Sequence, residues 1–142
     1  MEIFETYEIE IKTGRTKDEL IRRLTQRAII KGDKFFIDSE PYGLVARSNV
    51  SGEVFDTADW TVISFKIYAS TFLKIFSYIW LGGVGIIWLT FVMNALINLT
   101  YNSEIHWIIV FWVVGFFIAQ LTFRTSADMQ EESIRQMIRS KE

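Results

Sequence analysis

Two long apolar stretches dominate the hydrophobic pattern of this chain. Residues 75–99 form a run of 25 residues without a charge, and residues 105–123 form a second run of 19 whose only ionisable residue is His106. A helix needs about 20 apolar residues to cross a bilayer. The pattern therefore predicts a two-helix transmembrane hairpin over residues 74–123, with residues 100–104 as the loop. The rest of the chain is too short to bury both runs as core helices of a soluble domain.

The positive charges predict how the hairpin is oriented. All 15 Lys and Arg residues precede the first apolar run or follow the second, and the loop between the runs has none. By the positive-inside rule, both termini are expected in the cytoplasm. The expected location is the bacterial cytoplasmic (inner) membrane, with the chain crossing it twice.

The polar and apolar positions of residues 1–73 predict a small cytoplasmic α+β domain. Tyr7, Ile9 and Ile11 alternate with charged residues, as in a half-buried strand. Residues 16–19 have the form of a capping box, which predicts the start of a helix. The helix is expected to bury one stripe and to stop at residues 32–33; the stripe consists of Leu20, Ile21, Leu24 and Ala28.

Four β-type runs follow the predicted helix, at residues 34–38, 42–47, 50–55 and 60–68. Their connections are short, which favours an antiparallel meander with the helix on one face. In the last run Thr61, Ile63, Phe65 and Ile67 are expected to face the core, while Trp60, Ser64 and Lys66 face away. Only residues 69–74 separate this strand from the first span, so we expect the domain to sit at a fixed angle to the bilayer.

Residues 124–142 form a polar cytoplasmic tail that is expected to be a short helix. Ser126 is a candidate cap, and Ile134, Met137 and Ile138 fall on one side. Three alternatives stay open: the tail docks on the domain, pairs with a second copy, or is solvated. The expected fold class is thus α+β, a small antiparallel sheet with one helix, followed by the transmembrane hairpin and a short C-terminal helix.

The order of these segments resembles a family of small, uncharacterised bacterial membrane proteins with two spans and an N-terminal α+β cytoplasmic domain. The resemblance covers roughly residues 5–95. It is carried by residues 9–12 (IEIK), 17–24 (KDELIRRL), 34–37 (KFFI), 46–54 (ARSNVSGEV), 61–67 (TVISFKI) and 80–85 (WLGGVG). It implies this architecture and brings no established activity with it.

Candidate chemistry is sparse. The net charge of −2 and the pI near 5.5 argue against a nucleic-acid partner. The part before the first span has no His and the chain has no Cys, and Glu104 with His106 supplies too few ligands for a zinc site. Residues 82–85 (GGVG) lie inside a span, where glycines serve helix packing rather than phosphate binding. We therefore expect no catalytic, cofactor or metal residue, and a protein that is not an enzyme.

Small and polar residues inside the spans are the candidates for helix packing or oligomerisation. Gly83, Asn94 and Asn98 share one face of the first span with Ile87 and Thr90. Gly115 and Ala119 share one face of the second span with Thr122. Amides in hydrocarbon need partners. Self-association or docking on another membrane protein would supply them, and so would Thr122, backbone groups or interfacial water.

One basic cluster remains, on the predicted helix of the domain. Arg22, Arg23 and Arg27 are candidates for contact with anionic lipid headgroups. The alternative is a solvated helix face.

These features favour a membrane-anchored binding or assembly module with a cytoplasmic interaction domain. Its expected partners are membrane lipid and either a second copy or another membrane protein. Two other functions stay open: a membrane effector or pore built from several hairpins, and an immunity or accessory subunit of a neighbouring membrane system.

Overall fold

The computed structural model describes residues 4–37, 48–99 and 103–139. The predicted strand at residues 42–47 lies outside the described residues. The described elements are β1 (Tyr7–Thr13), α1 (Lys17–Leu24), β2 (Ile29–Lys31), β3 (Lys34–Ile37), β4 (Ser48–Asp56), β5 (Thr61–Ala69), α2 (Thr71–Asn98) and α3 (Glu104–Arg139). The α+β class is confirmed.

The five strands form one antiparallel sheet in the order β1-β5-β4-β3-β2. The longest pairing joins β4 to β5, from Ser48 opposite Ala69 to Asp56 opposite Thr61. The four predicted core positions of β5 are at most 6% exposed, and Trp60 and Lys66 are exposed, as predicted; Ser64 is half-buried, and Val62 on the outer face is only 4% exposed. The sheet thus has one buried face and one open face.

The first helix is shorter than its hydrophobic stripe predicts. Thr16 caps α1 as expected, since its hydroxyl accepts a hydrogen bond from the Glu19 amide at 3.4 Å. The helix ends at Leu24, however, and residues 29–31 form the edge strand β2, which the sequence analysis missed. Gly32 has φ +65° and forms with Asp33 the two-residue turn of the β2–β3 hairpin. Gly-Asp is a hairpin signal as well as a helix stop, and two adjacent β-branched isoleucines favour the strand.

The two apolar runs form long antiparallel helices. Helix α2 begins directly after β5, with the Ser70 hydroxyl accepting from the Leu73 amide at 3.3 Å. Both α2 and α3 are long and apolar enough to cross a membrane. We call the end of this hairpin next to β5 the sheet end, and the end at Leu99 the far end.

A separate C-terminal helix, as predicted for residues 124–142, is wrong. Helix α3 runs unbroken for 36 residues, about 54 Å, through Ser126. No Gly or Pro interrupts it after Gly115. The Ser126 hydroxyl is hydrogen-bonded to the Ser48 hydroxyl at 2.7 Å, so it joins two elements rather than capping a helix. The second apolar run and the polar tail are therefore one rigid element.

The last part of α3 completes the core of the sheet. Its side chains Ala127, Ile134 and Ile138 are buried in the same cluster as the inward residues of the strands and of α1. Ile134 has no exposed surface. Of the three alternatives for the tail, docking on the domain is the one observed.

The burial of Ile134 gives a direct test of this arrangement. Replacing Ile134 with Ala removes a buried aliphatic side chain and should lower the free energy of unfolding by about 2–5 kcal/mol. Met129 lies on the same helix and is 70% exposed, so Met129→Ala serves as the matched control and should change stability by less than about 0.5 kcal/mol. Thermal unfolding in mild detergent, followed by near-UV circular dichroism, measures both. Equal melting temperatures for the two variants would contradict docking of the tail.

Candidate functional site at the junction of sheet and hairpin

A second hydrophobic core joins the sheet to the sheet end of the hairpin. It contains Phe4, Ala69, Leu73, Ala119 and Phe123, all at most 9% exposed. The Phe4 and Phe123 rings meet edge to face with centroids 5.3 Å apart, and Tyr7 lies 6.0 Å from Phe123. Residues from the N-terminal segment, β5 and both long helices thus share one cluster, so the domain and the hairpin cannot rotate independently without breaking it.

Arg23 of α1 and Arg27, in the turn that follows α1, hold the other end of α3. The Arg23 guanidinium donates to the Met137 carbonyl at 3.2 Å, and Arg27 donates to the Ser133 hydroxyl at 3.0 Å. Met137 lies in the last turn of α3, where the helix dipole favours a positive charge. Arg23 therefore acts as a C-terminal cap for α3 that is supplied by another helix.

Glu19 orients this arginine. Its carboxylate accepts hydrogen bonds from Arg15 and, at 3.1 Å, from Arg23. The hydrogen bond from Arg15, helped by the charges of Arg15 and Arg23, lowers the pKa of Glu19. On the other side of α1, Lys17 pairs with Asp33 at 2.9 Å, and the hydrogen bond to Asp33 raises the pKa of Lys17. The Lys17–Asp33 ion pair thus joins α1 to the β2–β3 turn, and the hydrogen bond from Arg23 joins it to α3.

The predicted basic cluster is therefore engaged within the protein. Ser133 and Met137 come 10 and 14 residues after Phe123, which places the contacts of Arg27 and Arg23 about 15 and 21 Å along α3 from the junction core. Arg22, which lies on α1, has an exposed side chain. The lipid contact predicted for Arg22, Arg23 and Arg27 stays a prediction, and Arg23 and Arg27 contact α3.

The two predicted packing stripes do not face each other. Gly115 lies under the Trp80 indole and Ala119 is buried, so this stripe of α3 packs against α2. Gly83 has open space where a Cβ would be, and Asn94 and Asn98 are exposed. At about 100° per residue, their stripe lies roughly a quarter turn away from the face of α2 that contacts α3. Gly83, Asn94 and Asn98 therefore lie on the outer surface of the hairpin.

The open face of the sheet carries apolar side chains among charged ones. Phe36 pairs in register with Ile29, and Phe55 lies farther along β4; the exposed fractions of these side chains are 39%, 63% and 36%. Trp60, at the tip of the β4–β5 hairpin, is 54% exposed. A shallow cleft of about 320 Å³ on this face is lined by Lys34, Phe36, Ser51, Gly52, Glu53, Ser64 and Lys66. This face has the aromatic content of a protein-binding surface.

No metal-binding arrangement is found in the part of the chain that the structure describes. Within it, no group of three or more His, Cys, Asp or Glu side chains is placed to hold a metal ion. His106 is exposed near the start of α3, at the far end of the hairpin.

Comparisons of this chain with protein-family models, with curated proteins and with solved structures find no match. The resemblance to the two-span family stays an expectation from the sequence.

The packing of α1 against α3 was not predicted, although part of the sequence signal for it was present. Ile134, Met137 and Ile138 marked an apolar side on the tail, and an amphipathic helix with no other partner has to bury that side against the domain. The roles of Arg23 and Arg27 had no such signal, because a basic helix face looks the same in sequence whether it meets solvent, lipid or a helix end.

The Glu19 pairing predicts how stability depends on pH. Because the folded pKa of Glu19 is lowered, its stabilising effect is present above the ordinary Glu pKa of about 4.3 and is lost as the pH falls through the folded value. Glu19→Gln should therefore melt below the wild type at pH 7, and the gap should narrow as the pH falls below about 4. Asp18→Asn, the adjacent exposed residue, is the control. A gap that stays constant with pH would contradict this role of the Glu19 charge.

Proposed function

We propose that this chain is a non-enzymatic, membrane-anchored binding or assembly module of the bacterial inner membrane, with both termini in the cytoplasm. One observation carries the proposal: the sheet and the hairpin share a core, and α3 belongs to both. Ser70 alone separates β5 from α2, and a connection of one residue is too short to be a flexible tether. A partner on the sheet is then held at a fixed height and angle to the bilayer.

The open face of the sheet is the proposed binding surface. Phe36, Phe55 and Trp60 lie on the side away from α1 and α3. Their side chains therefore stay exposed in the described part of the chain. Aromatic side chains among charged neighbours are typical of surfaces that bind proteins. The proposed partners are another membrane-associated protein or a second copy, together with the surrounding lipid.

The topology is tested with reporters fused after residue 142. Green fluorescent protein folds in the cytoplasm and alkaline phosphatase is active only outside it, so the first fusion should fluoresce and the second should be inactive. Moving the phosphatase into the loop between α2 and α3 should activate it. An active C-terminal phosphatase fusion would contradict the proposed orientation.

The binding surface is tested by photocrosslinking in cells that express the chain natively. A benzoylphenylalanine at Trp60 or at Phe36 should give a discrete adduct heavier than the chain alone. Asp18 is exposed on α1, on the other side of the sheet, and the same probe there should give none. Replacing Phe55 with Ser should weaken the Trp60 adduct about tenfold, the effect of losing one aromatic interface contact. Equal adducts at Asp18 and Trp60, or none at Trp60 and Phe36, would overturn the proposal.

A further inference from the structure

One face of α2 runs along the whole hairpin and is largely open, apart from Trp80, whose indole packs on Gly115 of α3. Successive residues of a helix are about 100° apart, and by this spacing one stripe contains Phe72, Phe76, Trp80, Gly83, Ile87, Thr90, Asn94 and Asn98. The stripe lies roughly a quarter turn from the residues that pack on α3. At 46–57% exposure, Phe72, Phe76 and Ile87 are free of cover from the described part of the chain.

The far half of this stripe carries amides whose hydrogen-bonding capacity is only partly used. Asn98 donates from its Nδ2 to the Oδ1 of Asn94, and both side chains are exposed. Each amide has two N–H donors and an oxygen with two lone pairs, so a single mutual bond leaves most of these groups to be met from outside. Thr90 differs, because its hydroxyl already donates to the Ile86 carbonyl at 2.9 Å. Hydrocarbon offers no acceptor or donor, and unmet amides there are costly.

The sheet half of the same stripe borders an apolar groove of about 380 Å³. One wall is a ladder of aromatic rings on α2, in which Phe72, Phe76 and Trp80 stack at centroid distances of 6.4 and 6.0 Å. The other wall is formed by Gly115, Ile118, Ala119 and Thr122 of α3. A groove of this volume has room for a side chain that inserts from outside.

We propose that this face is a two-fold interface between two copies of the chain, with the symmetry axis along the membrane normal. The inference rests on the proposed membrane placement and names the partner of the self-associating module. Copies inserted in the same orientation hold Asn94 and Asn98 at the same depth, so each amide meets an identical amide. Because an amide both donates and accepts, the pair is its own complement under two-fold symmetry.

The groove fits the same partner. At the depth of the groove in the membrane, the second copy presents its own Phe72 and Phe76. These side chains lie on the same stripe and are exposed. A lipid chain would fill the groove but would leave the amides without hydrogen bonds. A second copy fills the groove and also bonds the amides, along one face. Gly83 sits between the two regions with open space beyond its Cα, which lets the two α2 backbones approach closely.

Single cysteines test the interface, because the chain has none of its own. Ile87 lies on the stripe and Leu89 lies on the opposite side of α2, two residues away at nearly the same depth; they are 52% and 55% exposed. In membranes treated with Hg(II), which bridges two thiols, Ile87→Cys should give a product of twice the chain mass. Leu89→Cys is the matched control and should remain monomeric.

A second pair of variants shows whether the amides hold the interface. Adding Asn94→Leu and Asn98→Leu to Ile87→Cys should reduce the association constant about tenfold, measured by energy transfer between labelled copies in vesicles. Leu96→Ala, on the opposite side of α2 and 65% exposed, is the control and should leave the association constant unchanged. The melting temperature of each variant shows that the fold is retained.

The outcomes separate this inference from the proposed function. Equal bridging at residues 87 and 89, products larger than two chains, or association unaffected by the double Asn→Leu change would overturn the two-fold interface. A chain that stays monomeric yet still gives the Trp60 photoadduct would overturn the interface alone. A chain that dimerises through residue 87 but gives no adduct from the open face would overturn the proposed binding surface and leave the interface standing.

Discussion

The packing of α3 against the sheet is the contact on which the rest of the structure depends. Five strands spaced about 4.8 Å apart form a sheet about 19 Å wide, and α1, with eight residues, is only about 12 Å long. One helix of that size cannot cover the buried face. The second cover comes from the end of α3, whose Ile134 and Ile138 lie in the same cluster as Leu20 and Leu24. The soluble domain is therefore incomplete without a helix that also belongs to the hairpin.

Charged side chains reinforce this contact at the C-terminal end of α3. Arg23 of α1 donates to the Met137 carbonyl in the last turn of α3, where the helix dipole favours a positive charge. The Glu19 carboxylate accepts hydrogen bonds from both Arg23 and Arg15, and the first of these keeps Arg23 in place. Polar pairing at one end and aromatic packing around Phe123 at the other fix α3 at two points about 21 Å apart along its axis. A helix fixed at two separated points transmits displacement along its length rather than swinging about one contact.

Local features of the fold could be predicted where a sequence pattern is compatible with only one structure. Alternation in β5 identified the inward Ile63 and Phe65, and Thr16 with Glu19 marked the start of α1. The misassigned segment was residues 25–33, where Gly32-Asp33 ends a helix or turns a hairpin equally well, and only pairing with β3 decides between them. The extent of α3 was missed for a different reason. A change from apolar to polar composition at Arg124 marks a change of surroundings, and it does not mark the end of a helix.

The position of Ile134 in the chain also determines the order in which the protein can form. Both apolar runs leave the ribosome before Ile134 and Ile138, which complete the core of the sheet. The strands made first therefore stay partly uncovered at Phe35, Phe65 and their neighbours until the end of α3 has been synthesised. Completion of the sheet core is thereby coupled to synthesis of the last helix, and a copy without the end of α3 keeps an exposed apolar sheet face that quality-control proteases and chaperones can recognise.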